Sequence, residues 1–297
     1  VKDSLGNQVV VPAGFKVVNK DANVTDGIVV EDVSHSATAG SQFVWIPVGE
    51  VVKEIKDGVK STETIKLSRY IFAADSTGTP KDQGANEIKD DYDSISNHIE
   101  INASTNGNKT AKENIESEES GFRKSAKDNH GYYIGRYEAR KNGTQVTVKA
   151  SDTVYNNIIQ PNAATVSRGM YSDSNFKSDL MNSYAWDTAI VFLQKFDNRA
   201  NKASLKPYSR QTSLNTGSLE SKGTNSLEVS KQDVICNVYD MASNCVEWTT
   251  ETCSISGGPC TFRGGYCSYS GYCTSGRIYG TTSSSSDGVS FRSLLYM

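Results

Sequence analysis

Several features that would assign a function class at once are missing from this sequence of 297 residues. Lys and Arg number 31 against 34 Asp and Glu, so the chain has no basic excess to attract a phosphate backbone, and nucleic-acid binding is disfavoured. No apolar run approaches the roughly 18 residues that cross a bilayer, so we expect no membrane-spanning segment. No charged-then-apolar leader is present, and we expect any leader or anchor to lie outside this sequence.

Histidine and cysteine are also scarce where a metal site would need them. The closest two histidines, His98 and His130, are far apart in sequence, so a local histidine cluster is unsupported. All six cysteines lie between residues 236 and 273, without the CxxC pairs that are typical of zinc sites. Their even number permits disulfides, and Cys253 and Cys260 flank a turn-like stretch. Free thiols or buried small side chains would explain the same residues.

The patterning that is present favours an α+β fold without βαβ alternation. Apolar residues recur at helical spacing from Ser183 to Phe196 and predict one clear helix. The segments 8–11, 27–30, 43–48 and 132–139 predict strands, and Asn142-Gly143 predicts a tight hairpin turn before a strand at 145–148.

Other stretches are polar and carry little periodicity. Residues 113–128 predict a short polar helix. Residues 74–112 and 197–232, rich in Asp, Ser, Asn, Gly and Lys, predict long, loop-dominated segments. The chain therefore alternates between patterned regions and long insertions.

Six motifs, in a fixed order, resemble those of one protein family. They are FVWIPVG at 43–49, IGRYE at 134–138, YAWDTA at 184–189 after a segment at 161–167, NVYDMASNCVEWT at 237–249, FRGG at 262–265 and VSFR at 289–292. In these motifs the chain resembles the formylglycine-generating-enzyme family. The resemblance implies a C-type-lectin-like domain of that type over residues 41–297, with loop-rich insertions, preceded by a β-rich N-terminal extension at 1–40.

Large side chains within these motifs are expected to hold the fold. We expect Trp248 and Phe291 to be buried aromatic anchors in a loop-rich region. Arg263 and Arg292 are expected to tie loops together through bidentate bonds to carbonyls or carboxylates. None of these residues is predicted to be catalytic.

The oxidases of this family use two cysteines after the Gly-Gly motif, one of them activated as a thiolate or copper ligand. Counted from Arg263, the first would fall at Tyr269 and the second at Thr274, whereas this chain has Cys267 and Cys273. Because a shift of one residue turns a strand side chain to the other face, we predict that the protein is not an enzyme. The alternative is a copper oxidase acting on cysteine-containing peptides.

The tail has an unusual composition. Residues 266–290 contain eight Ser, four Tyr, four Gly, three Thr and two Cys, but no Asn, Lys, Gln, Glu or Trp. Tyr, Ser, Cys and Gly are among the residues reached when the adenines of an asparagine codon are replaced. The stretch resembles the variable region of a diversity-generating-retroelement variable protein. The resemblance implies a variable C-terminal region at about 263–297, displayed on one exposed face of a C-type-lectin fold.

The implied function is ligand binding, because Tyr provides rigid contact area while Ser and Gly provide adaptable hydrogen bonds. We predict a receptor or adhesin on a cell surface or phage particle, whose ligand is a protein or glycan on another cell or particle. A structural surface domain with no selected ligand would explain the same composition. The predicted contact residues are Tyr266, Cys267, Tyr269, Tyr272, Cys273, Thr274, Ile278, Tyr279 and Gly280.

A structural calcium site is also implied by the family resemblance, because hard oxygen ligands in a turn suit Ca²⁺. Its ligands would be Asp240, the carbonyls of Ser243 and Cys245, and Glu247. A turn capped by Asp240 and an arginine paired with Glu247 would explain the same residues without a metal. We expect no organic cofactor.

Overall fold

A computed structural model describes residues 1–74, 80–88, 98–100, 121–150, 154–171, 175–196, 234–241, 244–253, 258, 260–265 and 274–297 of the protein. These residues form a sheet-rich fold with a few helices, in agreement with the predicted α+β class. No helix among them is long and apolar enough to cross a membrane.

Short strands make up most of the regular structure. In chain order they are β1 (Phe15–Val17), β2 (Val29–Asp32), β3 (Gln42–Pro47), β4 (Gly49–Lys56), β5 (Val59–Ile65), β6 (Arg69–Ala74), β7 (Pro80–Ile88), β8 (His98–Glu100), β9 (Gly131–Gly135), β10 (Arg140–Asn142), β11 (Gln145–Thr147), β12 (Lys177–Leu180), β13 (Val234–Ile235), β14 (Val238–Tyr239), β15 (Val246–Cys253), β16 (Cys260–Arg263), β17 (Arg277–Gly280), β18 (Val289–Phe291) and β19 (Ser293–Tyr296). The helices are α1 (121–128), α2 (Gln160–Arg168) and α3 (Ser183–Phe196), with a 3-10 turn at Val24–Asp26.

A six-stranded antiparallel sheet joins the beginning and the end of the chain, in the order β1-β2-β3-β9-β19-β12. Trp45 of β3 pairs in register with Tyr133 of β9, and both side chains are fully buried. The strand predicted at 43–48 is therefore confirmed. β1 and β2, from the segment predicted as an N-terminal extension, are outer strands of this same sheet. The predicted domain boundary itself stays a prediction.

A second sheet has the order β17-β16-β15-β18, and β8 also pairs with β15. β18 runs parallel to β15, while β16 and β17 are antiparallel to their neighbours. Trp248 stacks on Phe262 with ring centroids 3.7 Å apart, and its indole N–H donates to the carbonyl of Ile158 at 2.8 Å. Trp248 and Phe291 are fully buried, which confirms both as aromatic anchors.

Helix α3 begins and ends where its apolar periodicity predicts. The side chain of Asn182 accepts a hydrogen bond from the backbone N–H of Ala185 at 2.8 Å and so caps the first turn. Every residue from Ser183 to Leu193 is buried, because the helix packs against both sheets and the hairpin strands β5 and β6. A helix buried on all sides has no solvent-facing stripe.

The predicted hairpin is confirmed as β10 and β11, whose register pairs Asn142 with Gln145. Gly143 has φ of 61°, a left-handed conformation that glycine adopts at little cost. The strand predicted at 132–139 is shorter than expected. It corresponds to β9, which ends at Gly135. At 8–11 the structure has only an isolated bridge between Lys2 and Gln8.

The segment 74–112 departs from its prediction where it is described. Residues 80–88 form β7, which pairs with β6, and residues 98–100 form β8, which pairs with β15. Asp, Lys, Gly and Asn disfavour strands, but a neighbouring strand supplies backbone partners that local composition cannot reveal. The predicted helix at 113–128 is described only as α1, and residues 197–232 lie outside the described residues.

Candidate binding surface

Strand β17 carries the described part of the predicted contact surface. It pairs with β16 from Cys260–Gly280 to Arg263–Arg277, and on its other side no strand is described. Tyr279 is 58% exposed, while Ile278 and Gly280 are half-buried. Ile278 packs against the hydrophobic core. The strand therefore presents one large exposed aromatic side chain beside residues that contact the interior.

Two glycines determine how closely this strand packs. A Cβ at Gly280 would lie 2.5 Å from the Phe262 ring and 3.1 Å from the Trp248 ring, so the strand backbone lies directly against the stacked pair. A Cβ at Gly258 would lie 2.8 Å from the Tyr279 ring. The Tyr279 ring therefore lies against the backbone at Gly258 on one side and is exposed on the other.

The other predicted contact residues add nothing to the exposed surface that the structure describes. Thr274 is fully buried, and its backbone carbonyl accepts the indole N–H of Trp186 at 2.8 Å. This bond ties the tail to helix α3. The predicted contact residues Tyr266, Cys267, Tyr269, Tyr272 and Cys273 lie outside the described residues.

Four charged side chains beneath β17 form a set of ion pairs, here called the tail cluster: Asp187, Glu251, Arg263 and Arg277. A third buried arginine, Arg69 of β6, has its guanidinium 3.9 Å from Glu251. Arg263 binds Asp187 at 2.6 Å and Glu251 at 3.0 Å. Arg277 binds the same two carboxylates at 2.6 Å and 2.8 Å. Each carboxylate oxygen thus accepts a hydrogen bond from one guanidinium group. The expectation that Arg263 binds carboxylates is confirmed.

The tail cluster connects α3, β15, β16 and β17. Burial acts to lower the pKa of the Arg277 guanidinium, but the charges of Asp187 and Glu251 outweigh it and raise this pKa above its usual value. Asp187 also accepts the backbone N–H of Tyr70 at 2.8 Å, which ties in β6. Sequence reasoning missed Asp187, although an acidic residue within an apolar helical stretch is a signal for a buried ion pair.

A second buried set, here called the central cluster, contains Glu138, Asp240, Glu247 and Arg292. Arg292 donates to both carboxylate oxygens of Glu247, at 2.7 Å and 3.2 Å. It also donates to the carbonyls of Gly135 and Tyr239, each at 2.7 Å. The prediction that Arg292 ties loops through bidentate bonds is confirmed, and the bonds join β9, β14 and β15.

Glu138 lies fully buried in the central cluster. It accepts the backbone N–H of Cys245 at 3.1 Å and contacts the side-chain amide nitrogen of Asn244. Burial, followed by the nearby charges of Glu247 and Asp240, raises the pKa of the Glu138 carboxyl well above its usual value. The folded environment therefore favours the protonated form of Glu138 more than water does.

The described donors of the expected calcium site are engaged in another way. Both carboxylate oxygens of Glu247 bind Arg292, and a calcium ion beside that guanidinium would be repelled. Asp240 and Cys245 are buried, and Ser243 lies outside the described residues. In the described part of the chain, no three His, Cys, Asp or Glu residues are placed to hold a metal ion. The described donors therefore fit the arginine pair, which was the alternative to calcium, better than they fit a calcium ion.

Three of the six cysteine side chains are described by the structure. Cys245 and Cys260 are buried, and Cys236 is half-buried. The side chains of Cys253, Cys267 and Cys273 lie outside the described residues. Disulfide pairing and the copper alternative therefore both stay predictions.

Comparison with known proteins does not assign a family to this chain. No protein-family model matches the chain, and no curated protein matches it. Among solved structures, the chain is similar to one described as "Crystal Structure of CarF", with 15% sequence identity and a TM-score of 0.35. The similarity covers 56% of this chain and 86% of that chain. Structural similarity at this level carries no inference about fold or function.

Proposed function

We propose that this protein is a non-catalytic, ligand-binding receptor or adhesin whose C-terminal tail displays a variable contact surface. In this proposal the fold is C-type-lectin-like, of the formylglycine-generating-enzyme type, and the tail is diversified by a retroelement. The ligand is a protein or glycan on another cell or particle. The location is a cell surface or a phage particle.

The observation that carries the proposal is the contrast between two residues of β17 that lie two positions apart. Arg277 is fixed in the tail cluster by bonds to Asp187 and Glu251, whereas Tyr279 is 58% exposed. An aromatic side chain on a preorganised strand loses little conformational entropy on binding. Exposed tyrosines of this kind often supply a large share of binding energy in protein interfaces.

Variation at this surface is compatible with a stable fold. Tyr279 contributes an exposed ring, so its replacement removes little from the core. The ion pairs of the tail cluster hold β17 independently of that ring. A rigid frame with replaceable surface residues is the arrangement that a diversified binding protein requires.

Binding is tested with the full chain on a glycan array and on a panel of intact bacterial cells. We expect Tyr279→Ala to lower the bound signal by about tenfold or more on any probe that the original protein binds. Val59→Ala is the matched control, because Val59 is also 58% exposed but lies on β5. Equal signals from the two variants would argue against a contact surface on β17.

Diversification is tested by reading the DNA around the coding sequence. We expect a near-identical repeat of the tail-coding segment that differs at adenines, beside a reverse-transcriptase gene. A tail-coding segment with no such repeat would contradict this part of the proposal. Loss of an oxidase signal in Cys267→Ser and Cys273→Ser would instead support the copper oxidase.

A further inference from the structure

A polar cleft of about 450 Å³ lies between the β10–β11 hairpin and the segment that leads into helix α2. This volume falls within the range of small-molecule sites in proteins. Of the predicted contact residues that the structure describes, which are Thr274, Ile278, Tyr279 and Gly280, none lines it. The lining side chains used below are those of Lys141, Tyr155, Asn156, Asn157, Ile159 and Asn162.

The wall of the cleft is held in place by hydrogen bonds to the rest of the fold. The backbone N–H of Asn157 donates to the carbonyl of Ser286 at 2.9 Å, and the side chain of Asn156 donates to the carbonyl of Asp287 at 2.8 Å. The backbone N–H of Tyr155 donates to Ala139 at 2.7 Å. The cleft is therefore formed before any ligand arrives, which lowers the entropic cost of binding.

The charge and polarity of the lining define the kind of ligand. Among the described residues that line the cleft, Lys141 is the one charged residue, and its ammonium lies 5.4 Å from the centre of the Tyr155 ring. The amides of Asn157 and Asn162 are exposed and provide both donors and acceptors. Helix α2 begins here without a side-chain cap, which adds a partial positive charge.

We propose that this cleft binds a hexuronic-acid-type sugar. The ammonium of Lys141 pairs with the single carboxylate, and the amides of Asn157 and Asn162 bind the sugar hydroxyls. Ile159 and the Tyr155 ring provide apolar contact for the C–H groups of the sugar ring. The proposal goes beyond the tail surface, because it assigns a second site with its own ligand class.

The test uses the full chain and three probes: glucuronic acid, glucose and acetate, with binding followed by NMR shift changes. We expect glucuronic acid to bind more tightly than either of the other two, because only it offers both a carboxylate and hydroxyls. Lys141→Gln is expected to weaken glucuronic acid binding about two- to fivefold and to remove its preference over glucose. Asn162→Ala is expected to weaken it about two- to tenfold.

Two controls make the result specific to the cleft. Lys177→Gln removes another exposed lysine, on β12, and should leave glucuronic acid binding unchanged. Tyr279→Ala should also leave it unchanged, so failure of the tail surface and failure of the cleft are distinguishable. Equal binding of glucuronic acid and glucose, equal binding of glucuronic acid and acetate, or no effect of Lys141→Gln would overturn the proposal.

Discussion

The two buried ion clusters of this molecule neutralise charge in different ways. In the tail cluster, the two carboxylates each contact both Arg263 and Arg277, and Arg69 lies 3.9 Å from Glu251 as a further cation. In the central cluster, Arg292 binds one carboxylate, that of Glu247, and burial raises the pKa of the nearby Glu138 carboxyl. The charges of the tail cluster are paired with counter-ions, whereas burial favours protonation of Glu138 in the central cluster. This difference should determine how each cluster responds to mutation and pH.

The largest effect is expected from removing the single arginine of the central cluster. Arg292→Met leaves Glu247 buried without its guanidinium, and we expect the free energy of unfolding to fall by about 3–5 kcal/mol, measured by urea denaturation. Arg168→Met is the control, because its pair with Asp179 is partly exposed, and we expect a loss of about 1 kcal/mol or less. Similar losses from the two variants would contradict a central role for Arg292.

A smaller loss is expected in the tail cluster, where Arg263 still contacts both carboxylates after Arg277 is removed. Arg277→Met should lower the free energy of unfolding by about 2–3 kcal/mol. Hydrogen exchange should also become faster along β17, since its inner attachment is lost. If Arg277→Met were less stable than Arg292→Met, the expected difference between the two clusters would be wrong.

Glu138→Gln tests whether the Glu138 carboxyl is protonated in the folded protein. The Gln side chain keeps a carbonyl oxygen that accepts the N–H of Cys245, and its amide nitrogen replaces the other carboxyl oxygen. Once the side-chain amide of Asn244 turns over, this nitrogen can donate to Oδ1 of Asn244. This oxygen has no hydrogen-bond partner in the part of the chain that the structure describes. We therefore expect a change of no more than about 1 kcal/mol in the free energy of unfolding near neutral pH.

The pH dependence of this variant provides the sharper measurement. Above the usual glutamate pKa of 4.5, the folded protein keeps a proton on Glu138 that the unfolded chain releases. Stability from this group therefore falls as pH rises above that value, up to the raised pKa. The Gln side chain of the variant does not titrate. The melting temperature of Glu138→Gln minus that of the original protein should therefore increase from about pH 5 to about pH 8. A constant difference would show that Glu138 ionises normally.

The smallest effect is expected from metal removal. Because Arg292 occupies both oxygens of Glu247, we expect a calcium chelator to leave the melting temperature unchanged. Added Ca²⁺ should likewise have no effect at concentrations that saturate ordinary structural sites. A melting temperature that rises with calcium concentration would support the calcium site. The central cluster would then differ from the tail cluster by binding a metal ion.

Sequence alone predicted the elements whose signals are local. The helix from Ser183 to Phe196 was predictable because its apolar residues recur every three or four positions, and the hairpin because Asn142-Gly143 favours one turn type. Strand β7 was not predictable, because its polar residues become a strand only through pairing with β6. Pairing between distant segments leaves no trace in local composition.

The same distinction applies to the site. Arg263 and Arg292 were predicted to bind carbonyls or carboxylates, since each lies beside an aromatic residue in a loop-rich region. An arginine partner for Glu247 was predicted as the alternative to calcium, but that it would be Arg292, 45 positions away, was not. The pairing of Arg263 with Asp187, 76 positions away, was not predicted either. Tyr279 was predicted from tail composition and is exposed, but its contact with the backbone at Gly258 depends on three-dimensional packing.

The close approach at Gly280 limits how a repertoire of specificities could be encoded on this strand. Any codon other than glycine would place a Cβ 2.5 Å from Phe262 and force the rings of Phe262 and Trp248 apart. The preceding codon, for Tyr279, has no such restriction. Saturation mutagenesis of the strand should therefore recover nearly every amino acid at one position and almost only glycine at the next.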